Sequence, residues 1–362
     1  MNCFLSYFYS MKINELDTRE SLDRFFQRSL TRSRVFFVVS MLWIICCAYL
    51  YVSTDVEGFK SLLKVFFGIA IGLWLLVAMF QLYVIENTSI ELSKISDSQV
   101  GNFSITEIRA MFQEVMDNSV IRENPTVYLS SLDMCNAFAI NTLFYFYKPT
   151  NAIYMTRKCF EVLTREEILA ILYHEMAHFN RYMYMEGRTM NVGMYFFMLL
   201  PFSFTALIPG VFFKIIFVVV LFFFVSYLWN KIRNVHEFES HALEYLCDSM
   251  AAERVGKLAM INALITICRV NASIDTKSTK EKLKVKAVNK KPKVIVDWGH
   301  FDTHIVNGKI EAAEYHAFIQ TLENIENPQL IENSEQDEDA SSHPSLTKRV
   351  LFLHRNFLSK RV

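Results

Sequence analysis

The residues best suited to chemistry are two histidines and a glutamate in the segment His174-Glu175-Met176-Ala177-His178. On a helix, His174 and His178 lie one turn apart and face the same way. Each imidazole can then give one nitrogen to a single zinc ion at about 2.0–2.1 Å. Glu175 lies off that line, where it can act as general base on a water that the metal activates. The pattern predicts a hydrolytic metal site, against the alternative of two surface histidines on an amphipathic helix.

The motif lies in a stretch that predicts one helix over residues 164–182. Thr164 is a suitable N-cap residue, and Glu167 three positions later completes a capping box. The apolar residues that follow have helical spacing, and they are Ile168, Leu169, Ile171 and Leu172. The metal motif is therefore predicted on a rigid element whose start is fixed by its own sequence.

A hydrolytic zinc site needs a third protein ligand, and the helical segment 236–252 offers several. Glu244 and Asp248 lie one turn apart on one face. Glu244 can complete a His, His, Glu set, while Asp248 bonds the free nitrogen of a ligand histidine. Spacing alone leaves three rival ligands, which are His236, Glu239 and His241. Another reading of the same residues is a solvated acidic helix face.

The composition indicates a membrane protein. Of the 362 residues 52% are hydrophobic and 20% are charged, and the zero net charge gives no sign of nucleic-acid binding. Residues 35–53 and 65–85 are apolar runs of spanning length, and 191–229 holds one charge, Lys214. As one helix the last run would be roughly 60 Å long, twice the hydrocarbon core, so Pro209-Gly210 predicts a hairpin of two spans. We expect four transmembrane helices, against the alternative of buried helices in a soluble protein.

Basic residues predict the orientation of these spans under the positive-inside rule. Five arginines crowd residues 19–34, whereas the link 54–61 holds a single lysine. Lysines and arginines also flank the predicted hairpin on both sides. We therefore expect a multi-pass protein of the inner (plasma) membrane, with the catalytic domain and both termini in the cytoplasm. Seven scattered cysteines, without metal-site spacing or a disulfide framework, fit that reducing compartment.

The segments outside the apolar runs predict an α+β protein on this membrane base. Residues 106–117 have helical spacing. Short strand candidates follow at 126–130, 135–141, 144–147 and 152–155. Together they predict a small β-sheet that leads into the metal helix.

Four segments of the chain form a set with a fixed order. They are Asn136-Ala137-Phe138-Ala139, the metal motif, Glu244-Tyr245-Leu246-Cys247-Asp248, and His343-Pro344 followed by Arg349. With the placement of the spans, this set resembles the HtpX-like membrane zinc metallopeptidases, which are related to the CAAX prenyl proteases. The resemblance covers roughly residues 35–255 and 340–357. The chain departs from the family at Cys247, where alanine is usual, and at His241, where arginine is usual.

The resemblance implies a zincin-like cytoplasmic protease domain with one zinc ion per chain. The implied ligands and catalytic base are His174, His178, Glu244 and Glu175. Asn136, His343 and Arg349 would line the site and steady the oxyanion or the peptide. The strand after Asn136 would pair with an extended substrate. The implied activity is endopeptidase cleavage of misfolded or damaged membrane proteins in quality control, and the alternative is a catalytically inactive scaffold or substrate-binding pseudo-protease.

The predicted domain organisation follows from these assignments. In chain order it comprises a cytoplasmic segment (1–34), two spans (35–85), the first part of the protease domain (86–190), the transmembrane hairpin (191–229), the third-ligand helix (230–256), a partly disordered insert (257–340) and a C-terminal His-Pro element with a helix (341–362).

Overall fold

The computed structural model describes residues 19–53, 55–119, 121, 124–141, 151–179, 200–283, 304–305, 308–325 and 346–358. The predicted strand at 144–147, the first part of the predicted hairpin (191–199) and His343 lie outside these residues. The chain divides into two compact units. The first comprises Met1–Met11, Asp23–Asn87 and Arg181–Glu239, and the second comprises Lys12–Leu22, Thr88–Asn180 and Ser240–Val362.

The described residues are mostly helical. The helices are α1 (Arg19–Ser53), α2 (Glu57–Thr88), α3 (Ile105–Asn118), α4 (Arg157–Val162), α5 (Arg165–Ala177), α6 (Val211–Val255), α7 (Lys257–Leu283), α8 (Tyr315–Ile325) and α9 (Leu346–Leu358). The strands are β1 (Ser89–Glu91), β2 (Gln99–Val100), β3 (Phe103–Ser104), β4 (Thr126–Ser130), β5 (Ala137–Asn141) and β6 (Asn151–Thr156), and 3₁₀ helices lie at Leu92–Lys94 and Leu200–Leu207. The predicted combination of helices with a small sheet is confirmed.

In the first unit, α1 and α2 pack with the 3₁₀ helix around a small apolar cluster. Its buried members are Cys47, Phe59 and Leu63, and the rings of Phe59 and Phe204 lie 5.5 Å apart. Large apolar side chains face outward along the same helices, with Leu42 60% exposed and Leu76 64% exposed. The predicted break at Pro209-Gly210 is present, since Gly210 has a φ of 78° and α6 begins at the next residue.

The four predicted spans are not confirmed by helix length and apolarity. Among the described residues, one helical window meets both criteria for crossing a membrane, Lys257–Ile274. That window lies in α7, where Met260, Ile261 and Leu264 belong to the core of the second unit. Two shorter apolar helical stretches of 10–17 residues, Met41–Ser53 in α1 and Val211–Tyr227 in α6, do not reach the required length.

The main sheet of the second unit has the strand order β1-β4-β6-β5. Strand β4 is parallel to β6, and both outer pairs are antiparallel. Tyr128, Tyr154 and Phe138 face each other across β4, β6 and β5, and the stacked rings are 5.0 Å apart at each step. This ladder stabilises the register of β5, which is one of the two edge strands of the described sheet and packs against α5.

Helix α5 lies in the middle of the second unit's core. All of residues 167–177 are buried, and α3 and α7 pack against them. The backbone N–H of Thr164 donates to the Glu167 carboxylate at 2.7 Å, as the capping box predicts. Lys309 lies 3.1 Å from the other oxygen of that buried carboxylate. The predicted helix is therefore present over Arg165–Ala177, and residues 180–182 lie outside the described part.

Two helices, α7 and α8, lie within the predicted insert at 257–340. Helix α7 packs against α5 and α9, and α8 packs against α9. The side-chain amide of Asn262 on α7 accepts from the N–H of Ile310 at 2.9 Å and donates to its carbonyl at 3.1 Å. The apolar side chains of α7 from Met260 onward belong to the core of the second unit. In the sequence, this apolar segment is followed directly by the lysine-rich run on which the prediction of an insert was based.

Candidate metal centre

The three predicted ligands lie together in the second unit. The Nε2 atoms of His174 and His178 are 3.2 Å apart. One oxygen of Glu244 lies 3.4 Å from Nε2 of His174, and the other lies 3.5 Å from Nε2 of His178. Among the described residues, these three form the group of His, Cys, Asp and Glu side chains that could hold a metal ion.

This geometry fits zinc. Bonds of about 2.0–2.1 Å in a tetrahedral site place neighbouring ligand atoms about 3.3–3.4 Å apart. The 3.2 Å between the two imidazole nitrogens agrees with that value. Each of these nitrogens also has one oxygen of the Glu244 carboxylate at a similar distance, 3.4 Å from His174 and 3.5 Å from His178. Two imidazole nitrogens and one carboxylate also form a ligand set that catalytic zinc uses, with one position left for water or substrate.

Two helices supply the ligands, and each does so through local spacing. His174 and His178 are four residues apart on α5, and His178 keeps a helical conformation (φ −62°, ψ −18°) just beyond the last residue of the helix. Both rings therefore stay on one face. Glu244 comes from the part of α6 that belongs to the second unit, where residues 241–249 are buried.

A charged pair lies behind the ligands. Asp248 is fully buried, and its Oδ1 lies 2.8 Å from Nδ1 of His174. The ring is not ideally aligned for a hydrogen bond, but the separation makes this a direct contact. Arg349 donates from Nε and Nη2 to the two oxygens of Asp248 at 2.7 and 2.6 Å, a bidentate pair. Its Nη2 also lies 3.4 Å from Glu244.

The cluster favours a positive charge at its centre. Burial lowers the pKa of His174, but contacts with Asp248 and Glu244 outweigh it and raise that pKa to about 10. Burial raises the pKa of Asp248, while Arg349 and His174 outweigh it and lower that pKa overall. Since a histidine must be neutral to bind a metal, a metal ion and the proton on His174 compete for the same place.

Two further side chains lie beside the ligands. Glu175 is buried on α5, next in sequence to His174 and off the line that joins the two histidines. The Cys247 sulfur lies 3.6 Å from Nδ1 of His178, the ring nitrogen turned away from Glu244. Burial raises the pKa of Cys247 well above its usual value, so this thiol stays neutral. The departure from the family at position 247 therefore adds a neutral neighbour to His178 and leaves the ligand set unchanged.

The rival ligands have other surroundings. Glu239 is buried in the first unit and accepts a hydrogen bond from the Ser29 hydroxyl at 2.6 Å. His241 is buried on α6 outside the metal-binding group, and the side chain of His236 lies outside the described part of the chain.

The residues implied by resemblance divide into three cases. Asn136 lies just before β5, and its backbone bonds to the Thr156 side chain and backbone. Arg349 contacts Asp248 and Glu244, so the structure places it behind the ligands, whereas the resemblance implied a role toward oxyanion or peptide. His343 lies outside the described residues.

Sequence reasoning missed two partners that the structure shows. A fully buried Asp248 needs a cationic partner, but nothing in the spacing points to a residue 101 positions later. Asn271 on α7 pairs with the backbone of Cys135 across 136 positions, and no local pattern marks it.

A family model for peptidase family M48 matches residues 104–356, which is more than half of the chain. The chain therefore belongs to peptidase family M48, a family of zinc metallopeptidases, and it is a metallopeptidase. The resemblance to HtpX-like enzymes is confirmed at this level. No curated protein and no solved structure matches the chain.

Proposed function

We propose that this protein is a membrane-embedded zinc metalloendopeptidase that cuts misfolded or damaged membrane proteins at the cytoplasmic face, in protein quality control. The observation that carries the enzymatic part is the group of His174, His178 and Glu244, in which His174 and Glu244 are buried and His178 is half-buried. Its ligand atoms all lie within 4.8 Å of one another, and Glu175 lies next to His174 on the same helix.

The catalytic steps follow from the positions of these side chains. Zinc, held by His174, His178 and Glu244, would polarise the scissile carbonyl and lower the pKa of a water molecule to about 7. Glu175 takes the proton from the attacking water and passes it to the leaving amine as the peptide bond breaks. Asp248 holds His174 through Nδ1, which keeps Nε2 directed toward the other ligands.

Strand β5 supports a preference for unfolded chains. It is one of the two edge strands of the described sheet, and it packs against the helix that carries His174. An edge strand can pair with an extended peptide backbone. Because folded proteins seldom offer a free extended segment, we propose that the substrates are unfolded or misfolded proteins.

The exposed apolar side chains of the first unit support the membrane part of the proposal. Phe223 on α6 is 68% exposed, and Leu42 and Leu76 on α1 and α2 are similarly exposed. Soluble monomers seldom expose large contiguous apolar surface. The arginines at 19–34 support a cytoplasmic N-terminus.

Reporter fusions test the orientation. A reporter fused after Arg233 should behave as cytoplasmic, and one fused after Val56, in the link between the first two spans, should behave as translocated. A translocated reporter after Arg233 would contradict the four-span arrangement, and with it the expected return of His178 and Glu244 to one side of the membrane.

A cleavage assay on the full-length protein in detergent tests the enzymatic part. We expect wild-type protein to cut a fluorescently labelled unfolded protein, to stop when a chelator removes the metal, and to recover when zinc is added back. A protein that holds zinc and binds the labelled chain without cutting it would instead be the scaffold.

A further inference from the structure

We propose that Asn271 on α7 is a positioning residue that fixes the start of β5 relative to the metal-binding helix. The inference rests on the proposed function, because it concerns where β5 presents a bound substrate. Among the described residues, the hydrogen bonds of the Asn271 side chain go to the backbone of Cys135, two positions before the strand, so Asn271 acts on β5 through that residue.

The contact is a two-point pairing of a side-chain amide with a backbone. The N–H of Cys135 donates to Oδ1 of Asn271 at 2.9 Å, and Nδ2 of Asn271 donates to the Cys135 carbonyl at 2.8 Å. The amide group thus replaces the backbone of a neighbouring strand. Cys135 is fully buried, so losing Asn271 would leave a buried N–H and a buried carbonyl unpaired.

The next residue is held from the opposite side. The Thr156 hydroxyl accepts from the N–H of Asn136 and donates to its carbonyl, both at 3.1 Å, and the backbone N–H of Thr156 donates to that carbonyl at 3.0 Å. Residues 135 and 136 are therefore fixed between α7 and the end of β6. Thr156 ties them to the sheet, and Asn271 ties them to the helix.

That helix also contacts the metal-binding helix. Helix α7 packs directly against α5, which carries His174 and His178, so the two helices are fixed relative to each other. Through its bonds to Cys135, Asn271 on α7 therefore fixes the start of β5 relative to the metal ligands. A displacement of about 1 Å between a reactive group and its substrate can reduce the rate about 10²-fold, so the pairing bears directly on catalysis.

The chain offers a matched control on the same helix. Asn262 makes the same two-point pairing, with the N–H and carbonyl of Ile310 at 2.9 and 3.1 Å. Ile310 lies outside the sheet. Replacing either asparagine removes two hydrogen bonds from α7, but only Asn271 is joined to the β5 segment.

The test compares full-length, zinc-loaded wild type with Asn271→Ala and Asn262→Ala, using a labelled unfolded protein as substrate. We expect both variants to keep one zinc per chain and to lose similar thermal stability. Asn271→Ala should lower kcat/KM about 10–10²-fold, whereas Asn262→Ala should stay within about twofold of the wild type, since its pairing lies away from β5. Asn271→Ser keeps one hydroxyl that can serve one of the two backbone groups of Cys135, so its kcat/KM should fall in between, and this variant replaces the alanine variant in the test if the latter does not fold.

A second readout separates positioning from general destabilisation. In a peptide that the wild type cuts, N-methylation of backbone amides beside the scissile bond should slow cleavage by blocking pairing with β5. The same methylation should cost Asn271→Ala less, because its β5 is already displaced. Equal kcat/KM losses in Asn271→Ala and Asn262→Ala, or equal methylation effects in wild type and Asn271→Ala, would overturn the inference alone. A zinc-loaded wild type that cuts no substrate would overturn the proposed function together with it.

Discussion

Replacing Arg349 with methionine should weaken both the fold and the metal site. Methionine keeps much of the aliphatic stem but removes the guanidinium that holds both oxygens of Asp248 at 2.6 and 2.7 Å. Asp248 is fully buried and the Arg349 side chain is 12% exposed, so the carboxylate would lose its main cationic partner in a site that water hardly reaches. Breaking a buried pair in this way costs about 3–5 kcal/mol, which for a unit of this size corresponds to a fall in Tm of about 6–20 °C.

The assay measures thermal unfolding and zinc affinity of Arg349→Met in detergent. The stability loss should persist after chelation, because the pair with Asp248 does not depend on the metal. Zinc affinity should also fall about 10–100-fold, since Asp248 would no longer be held against His174. Arg355→Met on the exposed face of the same helix is the control and should change neither quantity by much. Equal effects in the two variants would refute the reasoning.

Three further predictions follow from single contacts. Glu244→Ala should reduce zinc content in equilibrium dialysis, whereas Glu239→Ala should leave it near one per chain; the reverse result would show that the third ligand is assigned to the wrong turn of the helix. Gly101→Ala should lower the free energy of unfolding by at least about 1 kcal/mol, because its φ is 60° and an added Cβ would meet the Phe160 carbonyl, and denaturant titration checks this. Burial lowers the pKa of His354, so the folded state binds this proton less readily than the unfolded chain does. The corresponding stability is present above about pH 6.5 and is lost as the pH falls through the lower pKa of the folded state; His354→Gln should flatten the pH dependence of Tm in that range, and an unchanged slope would contradict the assignment.

The sequence could predict what depends on spacing within one helix. The turn between His174 and His178, and the turn between Glu244 and Asp248, are properties of α-helices that need no tertiary information. The capping interaction of Glu167 is equally local, and the structure places the start of α5 where it was predicted.

The contacts between distant segments could not be predicted in the same way. Arg349 on α9 meets Asp248 on α6 only in the folded second unit, where the rings of Phe352 and Tyr245 on the same two helices also stack at 4.7 Å. The local sequence around either residue does not indicate the other. In the sequence, Asn271 is a polar residue near a lysine-rich run, and nothing local indicates that it pairs with the backbone of Cys135. The apolar face of α7 was not predicted to be part of the core, because the sequence does not show that α5 packs against it.

The most direct test of the central claim compares zinc content and cleavage in Glu175→Gln. Glutamine keeps the size of the side chain but cannot take a proton from water. We predict about one zinc per chain, as in the wild type, and a loss of cleavage of at least about 10²–10⁴-fold, the range that general base catalysis supplies. His174→Ala should instead lose zinc and activity together. A Glu175→Gln protein that cuts an unfolded substrate as fast as the wild type, or that no longer holds zinc, would contradict the assignment of Glu175 as the base beside a His174, His178 and Glu244 metal site.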